Sequence, residues 1–133
     1  VRGQMTPEWT CMVDALPQIR EALTGLDTAL KYRVLCRWPR SEDTGTLITV
    51  TELTNSQTET AVVDTLGYQI DLWAAECDSV DEFAPLVNAA LCGLGLRREY
   101  AGPAELQNDK YRKTFRFGGS STDRAVRIFT QKG

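Results

Sequence analysis

Tyr68-Gln69-Ile70-Asp71-Leu72-Trp73-Ala74 alternates in character, and a few residues on the chain changes period at Ser79-Val80-Asp81-Glu82. In the first stretch Tyr68, Ile70, Leu72 and Ala74 point one way, while Gln69, Asp71 and Trp73 point the other, as in a half-buried strand. In the second, the Ser79 hydroxyl and the Glu82 carboxylate have the spacing of a capping box, which satisfies the first free amides of a helix. The apolar residues that follow, Val80, Phe83, Leu86, Val87, Ala90, Leu91 and Leu94, recur at helical spacing. Pro85 leaves two starts open. With Ser79 as cap it falls in the helix interior; with Asp81 as cap it lies in the first turn, where proline costs little. A strand that feeds a helix packing back on its sheet predicts an α+β fold.

The rest of the chain adds elements around this unit. Thr6-Pro7 has the form of a helix start, with Trp9, Met12, Val13 and Leu16 behind it at helical spacing. Pro17 either kinks this helix or begins a second one, and Ile19, Leu23 and Leu26 continue the apolar face as far as Gly25. Tyr32, Val34, Cys36 and Trp38 alternate with Arg33, Leu35 and Arg37 until Pro39 stops the strand. Residues 46–53 are rich in β-branched side chains and read as a second strand, residues 54–60 as a polar hairpin tip, and residues 62–75 as a third strand, bent at Gly67. After the helix, strands are expected at 96–100, 111–117 and 126–130, with turns around 102–109 and at 118–123. The expected order is α-β-β-β-α-β-β-β: a mixed, mostly antiparallel sheet packed by two helices, in one domain spanning 1–133.

Composition excludes several classes. The chain has 133 residues, 42% hydrophobic and 25% charged, the balance of a globular rather than a disordered protein. No apolar run approaches the ~20 residues of a membrane helix, so no membrane association is expected. Residues 1–10 lack the pattern of a secretory signal. Cys11, Cys36, Cys77 and Cys92 form no CxxC pair, and there is no histidine. They read as buried free thiols in a reducing compartment, and no metal or cofactor is expected. Ser-His, Cys-His and His-metal chemistry are excluded, and no enzymatic activity is expected.

Charge is unevenly distributed. Residues 1–96 carry 6 basic and 14 acidic groups, a net −8; residues 97–133 carry 9 basic and 4 acidic groups, a net +5. Such asymmetry favours contact between oppositely charged surfaces. Asp43-Thr44-Gly45 matches the tripeptide of aspartic proteases, but Ser41-Glu42 precede it where an apolar strand would be needed, and it reads as a hairpin turn. Lys110-Tyr111-Arg112-Lys113-Thr114-Phe115-Arg116-Phe117 interleaves cations and aromatics. Exposed, it could stack bases and hold phosphates. It lacks the glycines of an RNA-recognition signature, however, and reads instead as a strand whose aromatic face packs under the 79–94 helix, with Arg112 and Arg116 in solvent. Gly118-Gly119-Ser120-Ser121 is not a phosphate loop, because no Lys-Ser/Thr pair and no helix pattern follows.

In layout the chain resembles the small tail-terminator and tail-completion proteins of long-tailed bacteriophages. The resemblance runs over roughly 15–130 and is carried by a helix at 16–26, three strands with a long polar hairpin, the Tyr68-Gln69-Ile70-Asp71-Leu72-Trp73 strand, the 79–94 helix, Leu96-Arg97-Arg98-Glu99 and the 111–117 strand. The extension at 6–14 and the last basic strand have no counterpart in it. The resemblance implies a non-enzymatic head–tail joining component of a phage or prophage: a homo-oligomeric ring, commonly a hexamer, that caps the tail tube. Its neighbours would be a tail tube protein and a head connector protein, and DNA would pass through the ring. It would reside in the virion, and in the host cytoplasm during assembly. Candidate assembly contacts are Asn55, Ser56, Gln57, Thr58 and Glu59 in one polar loop, and the arginines Arg97, Arg98, Arg112 and Arg116. The alternative, from another class, is a small nucleic-acid-binding module using the basic C-terminal third.

Overall fold

The structure is a computed structural model and describes residues 15–26, 33–57, 64–123 and 127–129. The expected helix start at Thr6-Pro7 lies outside these residues. In chain order the elements are α1 (Leu16–Thr24), β1 (Val34–Leu35), β2 (Leu47–Gln57), β3 (Asp64–Ala74), α2 (Cys77–Gly93), β4 (Arg97–Ala101), β5 (Glu105–Gln107), β6 (Lys110–Asp123) and β7 (Arg127–Phe129). The fold is α+β. The expected element order is present, with the three-residue β5 added as a hairpin return onto β6.

The described strands form one sheet in the order β1-β2-β3-β6-β4, with β5 and β7 also paired to β6. β1 and β2 are parallel and every other pairing is antiparallel. Both helices cover the same face. Ile19 and Leu23 of α1 and Val80, Val87 and Leu91 of α2 join Ile48, Val50, Leu66, Tyr68, Ile70, Leu72, Phe115 and Phe117 in one buried cluster. The alternation of β3 thus sorts its residues as expected, and Phe115 and Phe117 pack beneath the helices.

α1 begins at Leu16 and has Pro17 in its first turn rather than being kinked by it: Ala15 is the cap, and a proline there lacks only an amide that would be unbonded anyway. α2 starts earlier than either expected cap. Glu76 is its N-cap, with no side-chain cap bond, so the Ser79–Glu82 capping box does not form. Pro85 therefore stands well inside the helix. The end of α2 is closed by a Schellman arrangement. Leu96 N–H bonds Leu91 O at 3.3 Å and Gly95 N–H bonds Cys92 O at 3.0 Å. Gly95 has φ +99°, the left-handed geometry that glycine adopts without a Cβ penalty. Leu86, expected in the buried stripe, is 43% exposed, because only one side of α2 meets the sheet.

Several strand boundaries move. Among the described residues of the expected 32–38 strand β1 keeps only Val34 and Leu35, and since it runs parallel to β2, residues 36–46 form a crossover and not a hairpin. The bend expected at Gly67 is absent from the β3–β6 pairing, which runs in register from Asp64 to Ala74. The irregularity sits on β2, between Glu52 and Thr54, where Leu53 is the extra residue of a bulge. Residues 118–123, expected as a turn, continue β6: Gly118 to Ser121 are flanked by β3, with β4 and β7 on the other side. Turn-forming residues are overridden here by two-sided pairing.

Candidate functional site on the open sheet face

The face of the sheet opposite the helices carries Thr49 on β2, Gln69, Asp71 and Trp73 on β3, and Arg112, Thr114 and Arg116 on β6. The pairings Thr49↔Asp71, Asp71↔Thr114, Trp73↔Arg112 and Gln69↔Arg116 set them side by side. Asp71 is the hub. Its Oδ1 accepts from Thr114 Oγ1 at 2.6 Å and Arg112 Nε at 2.9 Å, and its Oδ2 accepts from Gln69 Nε2 at 3.0 Å. Arg112 also donates to Gln107 Oε1 at 2.9 Å, tying β5 to this cluster. Trp73 Nε1 donates to Thr49 Oγ1 at 3.0 Å. Asp71 is 1% exposed and Trp73 3%. The face expected to be polar and open is thus closed at this end.

The cover comes from the 36–46 crossover. Trp38 meets Trp73 edge-on, with ring centroids 5.3 Å apart and planes at 75°. The Arg112 guanidinium lies 4.5 Å from the Trp38 ring centre and 5.3 Å from that of Trp73. The crossover is braced by two arginines. Arg33 donates to the carbonyls of Thr44 and Thr46. Arg37 clasps Asp43 through its two terminal guanidinium nitrogens, at 2.8 and 3.2 Å. Asp43 also accepts from the Arg40 amide at 2.7 Å. The Arg37 hydrogen bond, with help from the Arg40 amide, lowers the Asp43 carboxyl from 3.8 to about 2. Asp43 of the Asp-Thr-Gly tripeptide is therefore committed to holding its own loop, and Gly45 at φ +78° completes the turn.

Between this crossover and the β5–β6 turn lies a cleft of about 330 Å³ whose lining includes Trp38, Arg40, Ser41, Asn108, Asp109 and Lys110, with Trp73 behind. Asn108 makes the turn by adopting φ 58°.

The sequence-predicted contacts divide into groups. Asn55, Ser56 and Gln57 are not in a loop: they continue β2 and pair with Leu66, Thr65 and Asp64. Thr58 and Glu59 lie outside the described residues. Within residues 102–109, where turns were expected, Glu105–Gln107 pair with β6 as one arm of the β5–β6 hairpin. Arg112 does not project into solvent; Asp71 and the two tryptophans take it up. Arg116 remains exposed, 5.4 Å from the Tyr100 ring and with Nε 3.4 Å from Gln69 Oε1. Arg97 is exposed 3.6 Å from Glu99, and Arg98 donates to Asn88 Oδ1 at 3.0 Å. The three lie on or beside β4, all of whose residues are exposed. The cysteines also differ from expectation: Cys36 and Cys92 are exposed and Cys77 half-buried, while Cys11 lies outside the described residues.

Sequence reasoning did not find the Trp38–Asp71–Lys110 region. A signal was present in Asp71 and Trp73, an acid and a large aromatic on the supposedly solvated face of β3, opposite Arg112. Nothing local marked Trp38 as their cover. Among the described residues no group of carboxylates and thiols is arranged to hold a metal ion, and no helix is long and apolar enough to cross a membrane. No known family profile and no curated protein matches this chain.

Proposed function

We propose that this chain is a structural assembly subunit, a tail-terminator-like ring protein of a phage or prophage that joins tail tube to head. The observation that carries the reading is the separation of charge along α2. Its first turns hold Glu76, Asp78, Asp81 and Glu82, all exposed, and Arg97 and Arg98 follow its far end. At 1.5 Å per residue the acidic positions 76–82 lie ~16–25 Å from the end of α2 at Gly93, more than a Debye length, so attraction between the two ends of the helix within one subunit is largely screened. Opposite poles on one subunit favour head-to-tail contact that repeats until a ring closes. Exposed β4, at the end of the strand order, adds Tyr100 to the basic pole, and Leu106 of β5 is exposed beside it. Each exposed ion pair contributes only ~0–1 kcal/mol, so these apolar groups must supply most of the affinity while charge sets orientation.

The test is mass photometry and sizing at low and high salt. Wild type should form closed multimers. Arg97→Glu with Arg116→Glu should lower assembly, and adding Asp81→Arg with Glu82→Arg should restore it. A wild type that stays monomeric at high concentration overturns the reading. If it also binds oligonucleotides, and loses that binding on the same arginine reversal, the function is that of a nucleic-acid module built on the C-terminal third.

A further inference from the structure

We propose that the cleft between the 38–41 segment and the β5–β6 turn is a binding site for a nucleobase that carries a phosphate. Trp38 is the platform. It is 53% exposed, yet its ring is held from beneath by the Arg112 guanidinium and on its edge by Trp73. An indole fixed in this way and still open to the cleft is ready for a flat ring to stack on it, and its orientation costs little on binding.

Lys110 supplies the charge. It is 8% exposed, and its ammonium has one contact among the described residues, Asp109 Oδ1 at 3.4 Å. Asp109 is on the cleft wall but its side chain is 71% exposed, so it neutralises Lys110 only weakly. An ammonium carries three donors, and a nearly buried one with a single long contact is under-satisfied. A phosphate oxygen in the cleft would satisfy it, with Arg40 on the rim as a second cation. Ser41, Gln107 and Asn108 offer neutral donors and acceptors for the edge of a base. The volume of about 330 Å³ sits at the small end of ligand sites, the size of one nucleotide and not of a folded segment.

Two sources share this chemistry: a free mononucleotide, or an unpaired base of a single strand. This inference is independent of the ring reading, since none of its residues belongs to either charge pole.

The experiment titrates the full chain with AMP, adenosine, inorganic phosphate and an oligoadenylate of about ten nucleotides, read by calorimetry and tryptophan fluorescence. AMP should bind saturably, with adenosine and phosphate each roughly tenfold weaker or worse. Trp38→Ala should weaken AMP roughly tenfold, Trp38→Phe should retain most of the affinity, and Lys110→Met should remove the advantage of AMP over adenosine. Tighter binding of the oligonucleotide than of AMP assigns the site to a single strand; equal or weaker binding assigns it to the free nucleotide. Should Trp38→Ala fail to fold, Lys110→Met carries the test. The inference is overturned if neither AMP nor the oligonucleotide saturates at millimolar concentration, if phosphate alone binds as well as AMP, or if folded Lys110→Met discriminates AMP from adenosine as wild type does.

Discussion

Arg112 reaches across the sheet to Asp71, with Nε 2.9 Å from Oδ1, and the carboxylate it meets is 1% exposed. A buried carboxylate deprived of its cation keeps its desolvation cost and loses the compensating attraction. Arg112→Ala should therefore destabilise the fold by ~3–5 kcal/mol in urea unfolding. Arg116→Ala, on the same strand and face but exposed, should change stability by less than ~0.5 kcal/mol. Equal effects would show that the Asp71 pair does not hold the sheet face together. For this reason Arg112 is unsuitable for charge-reversal tests of assembly: a glutamate there would face Asp71 and unfold the subunit.

Leu91 and Leu86 lie on the same helix with opposite fates. Leu91 is fully buried in the cluster with Ile70 and Leu72, while Leu86 is largely in solvent. Leu91→Ala should cost ~2–5 kcal/mol through lost burial and the cavity left behind. Leu86→Ala should fall within ~0.5 kcal/mol. Thermal melts of the two variants check this, and a large loss at Leu86 would mean that a neighbouring molecule covers that side of α2.

Pro85 interrupts α2 from within, on an exposed position. It offers no amide to the carbonyl one turn earlier, and proline in a helix interior is ~3 kcal/mol worse than alanine. Its restriction of the unfolded chain returns less than ~1 kcal/mol of that. Pro85→Ala should raise stability by ~1–3 kcal/mol, seen as a higher Tm. An unchanged Tm would indicate that the helix is not continuous through this residue.

Asp43 sets the acid limit of the crossover. Its carboxyl is lowered from 3.8 to about 2, chiefly by the Arg37 hydrogen bond. A carboxylate with a depressed folded-state pKa contributes stability above its unfolded value, and that contribution is lost as pH falls through the folded value. The loop should thus keep its order down to about pH 4 and lose the Asp43 clasp between about pH 4 and 2. Carboxyl NMR shifts of Asp43 and the fluorescence of neighbouring Trp38 should report the same transition. Asp43→Asn should remove it from both. A carboxyl that titrates near 3.8 in wild type would refute the clasp.

What the sequence by itself determined is the set of local patterns that one element can enforce. Period-two alternation at Tyr68 to Ala74 and at Tyr111 to Phe117 sorts side chains to two faces whatever the partner strand. The helical stripe of 80–94 requires a sheet beneath it. Those patterns were enough for the α+β class, the two helices on the sheet and the burial of Phe115 and Phe117. Pro17 at the start of α1 was also among the readings open from sequence, since its missing amide is harmless only there.

Only the tertiary structure decided what depends on residues far apart in the chain. The parallel β1–β2 pairing turned an apparent hairpin into a crossover, and the crossover laid Trp38 over Trp73 and Arg112. Asp71 and Arg112 are 41 residues apart, and no periodicity in either strand encodes the register that joins them. The Gly118–Asp123 turn residues became strand because β3, β4 and β7 supply hydrogen-bond partners that outweigh local preference. The cleft belongs to this second class. Its floor, its cation and its rim come from the crossover, β6 and the β5–β6 turn, which no single stretch of sequence brings together.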